Sequence, residues 1–598
     1  MKPAKAARSK PSQAPLTLAH PAARLLLAVL TLAIACLVTH RLADPDLWQH
    51  LRVGRTIWES HAVPQVHEWT WPRFGEREVL PSWLFRALLW PFYAAAGAWG
   101  LQAWRWLTTL GAFALLALCA RRLGARGMSP WLGLILCAVV YRQRSQVRPE
   151  MLVAVLMALE LFLLERVRAG SRRAAYALPA VALVWANAHI SYWIGIALTV
   201  LFAADAWWRE RRPPRELLLA LAGSVAVSFV NPFGWQALWQ PFDYQLHLKN
   251  DPLFRTIAEL KPVDWSENVW NGLPLLVVGW PVLALIRARR AGVDLVEWAL
   301  LLGFGFLGLG AQRFLGFFAI AAAPYVTRDL ASLCEGRRAL APWPRAAAVS
   351  AAGVAMVALE LSHAHLGFGP GIDTRFLPVG ACDYIERAGV RGRGLNEFWQ
   401  GGYLLWRFWP ERDRLPFIDI HQSATPGDRA LLARLGSDPL AFAALDREHH
   451  FDWILTTSLR GLAGGLPDEL DADSTWRLVF IDDAALLYVR RGGALAPIAE
   501  RDGYRRLCGG EQAMQRLGAR VNADSLDRAA LRVELVRAVI TSPARSGIAH
   551  HLLGNVAVLD RRWPDAVREL DLAIASGIEV PGLRERRAQA AAMVASGR

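Results

Sequence analysis

Long apolar stretches separated by short arginine clusters run from Ala22 to Leu361, and this alternation constrains the fold more than any other feature. A chain that crosses lipid must satisfy its backbone polar groups internally, so such stretches predict helices. Hydrophobic residues make up 54% of the 598, above the share in an ordinary soluble domain. The clusters Arg121–Arg126, Arg166–Arg173, Arg209–Arg215, Arg287–Arg290 and Arg328–Arg345 hold much of the +15 net charge. Set between apolar stretches they fit the positive-inside pattern, so the basic balance does not predict nucleic acid as a partner. Trp is frequent, 27 residues, and often flanks these stretches, as at Trp207 and Trp208, where a membrane interface favours it.

With every cluster on the cytoplasmic side, each interval must hold an even number of crossings. Ala22–Thr39 starts the series, and residues 1–20, with Lys2, Lys5, Arg8 and Lys10, form a basic cytoplasmic tail. Gly100–Ala120 returns the chain. Trp131–Tyr141 pairs with Met151–Glu165, Ala174–Ala186 with Trp193–Trp208, Leu217–Val230 with Leu273–Ile286, and Leu295–Leu309 with Phe314–Val326. Ala346–Leu361 then exports the remainder. The expected fold is an α-helical membrane bundle of about eleven spanning helices over residues 21–363, with an extracytoplasmic C-terminal third. Trp83–Gly97 contains Arg86 and Pro91 and reads as interfacial.

The first outer loop, residues 41–82, is the most informative segment. Asp44-Pro45-Asp46 leads into an amphipathic helix with Leu47, Leu51 and Trp58 on one face. Asp44 suits an N-cap, Pro45 the first helical position, and Asp46 the positive helix end. His50 lies one turn after Asp46 and could orient it. Arg142, Arg144 and Arg148 form a basic cluster on the outer side, against the charge trend. Arginine binds phosphate bidentately, which suits a lipid phosphate, while headgroup anchoring explains the same residues. Arg313 between two apolar helices has the same two readings, with snorkelling as the structural one. Asn187 and His189 cap a tight hairpin and could serve a substrate or only the turn backbone. In the loop from Asn231 to Trp270, which holds His247, Lys249, Arg255 and Glu259, no residue stands out.

The order of these parts resembles the GT-C type membrane glycosyltransferases, chiefly the aminoarabinose and protein mannosyl transferases that take sugars from polyprenyl phosphates. It comprises a first membrane helix, an acidic pair at its outer end, an interfacial helix, a Gly/Pro stretch, and Pro81-Ser82-Trp83 before a second interfacial helix. The resemblance implies that Asp44 or Asp46 is the catalytic base or supports it, with a polyprenyl-phosphate sugar donor and a bacterial inner-membrane enzyme acting on an envelope acceptor. It leaves a divalent cation open. The lysine that often precedes the Pro-x-Trp in those relatives is absent here, so another group must supply any phosphate contact it makes. More closely, the chain resembles uncharacterised bacterial multi-spanning proteins through Asp44–Gly54, Arg148-Pro149-Glu150, Trp185–His189 and Asn396–Trp406.

Residues 372–493 read as a small α/β domain. Helices are expected at Gly380–Ala388 and Tyr403–Phe408, with strands near Gly394–Glu397 and at Leu415–Ile420, Trp453–Thr457 and Trp476–Val489. The domain shows no phosphate-binding glycine fingerprint. Asp419, His421, His449 and His450 lack metal-ligand spacing and read as solvated surface. Cys382 and Cys508 could pair or stay free. Residues 498–598 are helical, and His550–Ala573 resembles a tetratricopeptide repeat, an arm expected to pack on its neighbour or on a partner protein. The competing function is thus a non-enzymatic scaffold recruiting envelope proteins through this arm. A transporter is disfavoured because no apolar stretch shows an internal charged relay.

Overall fold

The computed structural model describes residues 19–334, 341–364, 367–419, 424–458 and 465–597. Nearly all of the basic tail, His421 and the middle of the Arg328–Arg345 cluster lie outside the described residues. Each stretch expected to cross holds a helix. α1 (Pro21–Leu37) is followed by the outer-loop helix α2 (Asp46–Ser60), then α3 (Trp83–Arg122), α4 (Trp131–Tyr141), α5 (Pro149–Arg168) and α6 (Leu178–Ala188). α7 (Trp193–Glu210), α8 (Arg215–Ser228), α9 (Leu273–Ala291), α10 (Leu295–Gly310), α11 (Leu315–Cys334) and α12 (Pro342–His363) complete the set. Among the described residues, four helical segments are long and apolar enough to cross a membrane: Trp83–Arg122, Ile190–Glu210, Gln312–Cys334 and Pro342–His363. The shorter helices carry lipid-like faces, with Leu275, Leu302 and Phe306 all exposed. So many large apolar side chains on one surface suit lipid rather than water.

α3 breaks at Ala96 and Gly97, where Gly97 adopts φ 55, ψ −129, a conformation that penalises any Cβ. The break separates Trp83–Ala95, read above as interfacial, from the long remainder of the helix.

Buried ionisable groups join the helices of the bundle to one another. Arg328 on α11 bonds Asp294, Glu297 and Asp329, and Arg168 on α5 bonds Asp205 and Asp294. Glu160, in the middle of α5, accepts the Thr199 hydroxyl at 3.1 Å. Every one of these charges meets a partner, which is the condition for burying it. Arg168 and Arg328 belong to basic clusters named above, while their acidic partners are set singly along the chain and do not show in the sequence as a motif.

In the C-terminal third a four-stranded sheet has the order β1-β2-β4-β3, from β1 (Gly394–Asn396), β2 (Trp453–Thr457), β3 (Trp476–Ile481) and β4 (Ala485–Arg490). β1 and β2 run parallel, and the other pairings are antiparallel. The single strand expected over Trp476–Val489 is a hairpin, turned where Asp482 accepts the amides of Ala484 and Ala485. No strand forms over Leu415–Asp419. Beside β1, the Asn396 amide bonds Phe417 N at 2.7 Å and Ile418 O at 2.9 Å, so a side chain replaces the ladder.

Alternation along the strands assigns the two faces. Trp453, Leu455, Leu487 and Val489 point toward α13 (Val379–Ala388) and α14 (Gly401–Phe408), in one apolar cluster with Leu47, Trp48 and Leu51 of α2. Ile454, Leu478, Leu486 and Tyr488 point the other way, into a cluster with Leu517, Leu531, Leu535 and Leu553 of the C-terminal helices. A sheet covered on both faces reads as the near-continuous apolar run seen in Trp453–Leu455 and Ala485–Val489. The C-terminal segment is therefore the outer layer of the α/β domain. Backbone amides lock it on, with Asp483 accepting from Gly547 and Ile548. Cys382 and Cys508 are both free, each in a different layer.

Candidate functional site

The chain leaves α1 and places Asp44, whose side chain is only 1% exposed, beneath the α/β domain. Asp44 Oδ1 accepts the Asp46 amide at 3.1 Å, so it caps the turn from one residue further out than expected, with Pro45 at the N-cap position. The same carboxylate receives Arg148 in two bonds, Nε to Oδ2 at 2.6 Å and Nη2 to Oδ1 at 3.0 Å. Arg148 reaches it because it precedes Pro149. A residue in that position is steered out of the helical region, and Arg148 is extended at φ −125, ψ 163. Its remaining contacts are Asp46 Oδ2 at 3.1 Å and Glu259 Oε2 at 2.8 Å.

Arg144, one turn earlier, bonds Glu259 at 2.9 Å and Glu150 at 3.2 Å. Arg313 approaches Glu150 at 3.8 Å and also meets Tyr244. His189 faces this group electrostatically, and its Nδ1 accepts the Ser191 amide at 3.1 Å, which leaves Nε2 to carry the proton. Burial, with Arg313 and Arg144, lowers the His189 pKa to about 4, so the ring is neutral at pH 7. Arg148, Arg144 and Arg313 outweigh burial at Glu259 and hold its carboxyl at about 2.

Asp46 is the exception among the acids. Asp44 takes the bidentate face of Arg148 and Glu259 its other nitrogen, so Asp46 keeps one single-point contact. Burial, reinforced by the charges of Asp44, Glu259 and Glu150 against the pull of Arg148, raises its pKa to about 7. It also remains 21% exposed, where Asp44 is sealed. A carboxylate that is reachable and poised to exchange a proton near neutrality has the properties of a general base.

The expected residues thus divide. Asp44, Asp46, Arg144, Arg148, Arg313 and His189 converge on one network. Arg142 does not: it turns away and pairs with buried Glu360 of α12. Nor does Asn187, whose amide is fully engaged by Trp83 Nε1, Leu183 O and Val230 O, each at 2.9 Å. His50 is buried between Phe85 and Arg86, accepting Arg86 Nε at 3.3 Å, and no described bond joins it to Asp46. Burial and the Arg86 and Arg148 charges keep it neutral. Glu150 and Glu259 complete the network although sequence reading did not select them. Glu150 carried a signal in Arg148-Pro149-Glu150, whereas Glu259 sits in a loop without any.

The α/β domain roofs this site. Trp48 of α2 packs on Tyr403 at 5.2 Å and on Trp406 at 5.5 Å between ring centroids. Trp71 of the same loop donates to Gly394 O at 2.9 Å, and Asp251 of the Asn231–Trp270 loop pairs with Arg429 at 2.8 Å. Gly402 makes the contact possible, since a Cβ there would lie 2.8 Å from the Pro45 carbonyl oxygen. Gly402→Val is expected to displace Pro45 and with it Asp46. Misplacing a reacting group by about 1 Å costs up to about 10²-fold in rate. Assays of turnover alongside protease resistance of the α/β domain check this, and unchanged turnover would refute the link.

Among the described residues, Asp428, Glu448 and His449 are the one group able to gather around a cation. Asp428 already accepts His449 on Oδ1 and the Thr425 hydroxyl on Oδ2, and His449 packs against Trp71 and Phe417. That arrangement is a structural latch between loop and domain. In the Asp44–Asp46 network guanidinium groups stand between the carboxylates, so these residues as arranged do not fit a metal ion.

No family model matches the chain, and no curated protein matches it by sequence. Solved structures do. The apo oligosaccharyltransferase of Archaeoglobus fulgidus superposes with a TM-score of 0.53 at 14% identity, over 72% of this chain and 69% of that one. The same enzyme, AglB, in complex with an inhibitory peptide and a dolichol-phosphate gives 0.53 at 12% identity with the same coverage. ArnT from Cupriavidus metallidurans bound to undecaprenyl phosphate gives 0.43 at 15% identity, over 79% of this chain and 98% of that one. The match shows that this chain shares its fold with the oligosaccharyltransferase AglB.

Proposed function

We propose that this protein transfers a sugar from a polyprenyl-phosphate donor to an acceptor hydroxyl of the cell envelope, at the outer face of the bacterial cytoplasmic membrane. The observation that carries the reading is the juxtaposition of an under-compensated carboxylate, Asp46, with three arginines in a fold shared with an enzyme solved with dolichol-phosphate. Asp46 removes the proton from the acceptor hydroxyl as its oxygen attacks the anomeric carbon. The bond from that carbon to the phosphate oxygen breaks on the opposite side, inverting the centre, and polyprenyl phosphate departs. Arg144, Arg148 and Arg313 stabilise the departing negative charge. Asp44 holds Arg148 in place. A zinc- and sulfate-bound form of AglB is known, but no step here is assigned to a metal.

Arg313 tests donor binding most cleanly, because its loss leaves the Asp44–Arg148 pair intact. A charge-assisted phosphate contact is worth about 1.5–3 kcal/mol, so Arg313→Gln should weaken polyprenyl-phosphate binding about ten- to a hundredfold. Titration of nanodisc-embedded protein measures it. Equal affinity in wild type and variant, or no preference over ordinary phospholipid, would remove the basis for the donor assignment.

The pH dependence follows from Asp46. A base must be unprotonated to act, so kcat/KM should rise with pH on an acid limb centred near the Asp46 value of about 7. A limb near pH 4, the range of an ordinary carboxylate, would show that Asp46 is not the group titrating.

A further inference from the structure

α1, α3 and α4 enclose a cavity far from the Asp46 site. It is a groove of about 710 Å³ whose walls include Leu26, Leu30 and Ile34 of α1, Leu110 and Phe113 of α3, and Ile135 of α4. Arg121 and Arg126 stand in its lining at one end. That end lies beside the start of α1, and Asp44 follows the other end of α1, so the groove opens toward the leaflet opposite the proposed transfer site.

Two properties select an occupant. The first is depth: from Ala23 to Ile34 the groove follows α1 for about 16 Å at the helical rise. One leaflet of bilayer hydrocarbon, half of about 30 Å, is equally deep. The second is charge. Arg121 and Arg126 are exposed, and neither is joined to a carboxylate among the described residues. Their neighbour Arg122 is used differently, over the Phe162 ring at 5.3 Å. Two unneutralised guanidiniums at the mouth of an apolar slot one leaflet deep match an anionic head attached to a hydrocarbon chain.

We propose that the groove between α1, α3 and α4 is a binding site for one anionic phospholipid of the leaflet opposite the transfer site. Its phosphate lies on Arg121 and Arg126, and one acyl chain runs toward Ile34. The site is independent of the transfer chemistry. Held there, the lipid joins the helix that leads into Asp44 to the two helices beside it.

The full chain is stripped of lipid in detergent and titrated in native mass spectrometry with three probes. These are phosphatidylglycerol, phosphatidylcholine with the same chains, and glycerol 1-phosphate. Phosphatidylglycerol is expected to give one tight adduct, weakened about tenfold or more in Arg121→Gln/Arg126→Gln through loss of charge-assisted contacts. Ala114→Trp, which projects a ring into the groove from an exposed position and keeps both arginines, should abolish the adduct. Glycerol 1-phosphate should not bind. Equal binding of phosphatidylcholine would make the groove ordinary lipid-facing surface. Binding of glycerol 1-phosphate alone, or an adduct unaffected by Ala114→Trp, would equally overturn the proposal.

Discussion

Asp46→Asn is expected to lower transfer by about 10²–10⁴-fold, the usual contribution of a general base, while leaving the fold intact. The amide cannot accept the acceptor's proton. It costs little structurally, because Asp46 keeps one long contact to Arg148 and otherwise contributes a helix-end charge of about 0.3–1 kcal/mol. Asp44→Asn provides the contrast. Asparagine can still accept the Asp46 amide, as a cap should, but the bidentate ion pair is lost. Arg148 is then released toward Asp46 and a neighbouring negative charge disappears, and both changes lower the Asp46 pKa. The Asp44 variant should therefore retain a fraction of activity and move the acid limb to lower pH. Turnover, thermal unfolding and the pH profile of both variants distinguish the roles. A fully active, stable Asp46→Asn would eliminate Asp46 as the base.

Truncation after Pro497 is expected to unfold the α/β domain. It uncovers Trp476, Leu478, Leu486 and Tyr488, which the C-terminal helices bury. Each such side chain is worth about 1.5–3 kcal/mol. Their sum rivals the roughly 5–15 kcal/mol that holds a domain together. Asp483 is also stripped of its amide partners Gly547 and Ile548. A shorter deletion, after Gly577, removes residues 578–598 with the helix Leu583–Ala595 and leaves the sheet covered, so that form should accumulate normally. Limited proteolysis and amide exchange of both forms decide the matter. A protected sheet in the Pro497 truncation would show that the arm is a separate appendage, as the scaffold reading requires.

Much of the fold was legible because periodicity and punctuation are local signals. The apolar stretches, the basic clusters between them and the Asp44-Pro45-Asp46 turn each announce themselves within a few residues. What escaped depends on the far side of a contact. Arg142 and Arg144 are two residues apart and chemically identical, yet one meets Glu360 and the other Glu259 and Glu150. Only the packing of α12 against α4 separates them. The strand expected over Leu415–Ile420 had the right composition, but the Asn396 side chain took the hydrogen bonds of Phe417 and Ile418. The arm was expected to pack on its neighbour or on a partner protein; its repeat-like pattern is internal to it and could not choose between them, since the face that meets the sheet is an ordinary helical stripe.

Glu259 gives the resting site a property that no single residue has. Its carboxylate already occupies the two guanidiniums a phosphate would need, Arg144 and Arg148. A tethered group competes at an effective concentration in the millimolar range, so soluble phosphate and detached headgroups meet a rival that never diffuses away. A ligand prevails only if energy from elsewhere, such as a long hydrocarbon tail in the bilayer, offsets the displacement. Glu259 also shares its loop with Asp251, which pairs with Arg429 of the roof at 2.8 Å and so ties this part of the site to the α/β domain.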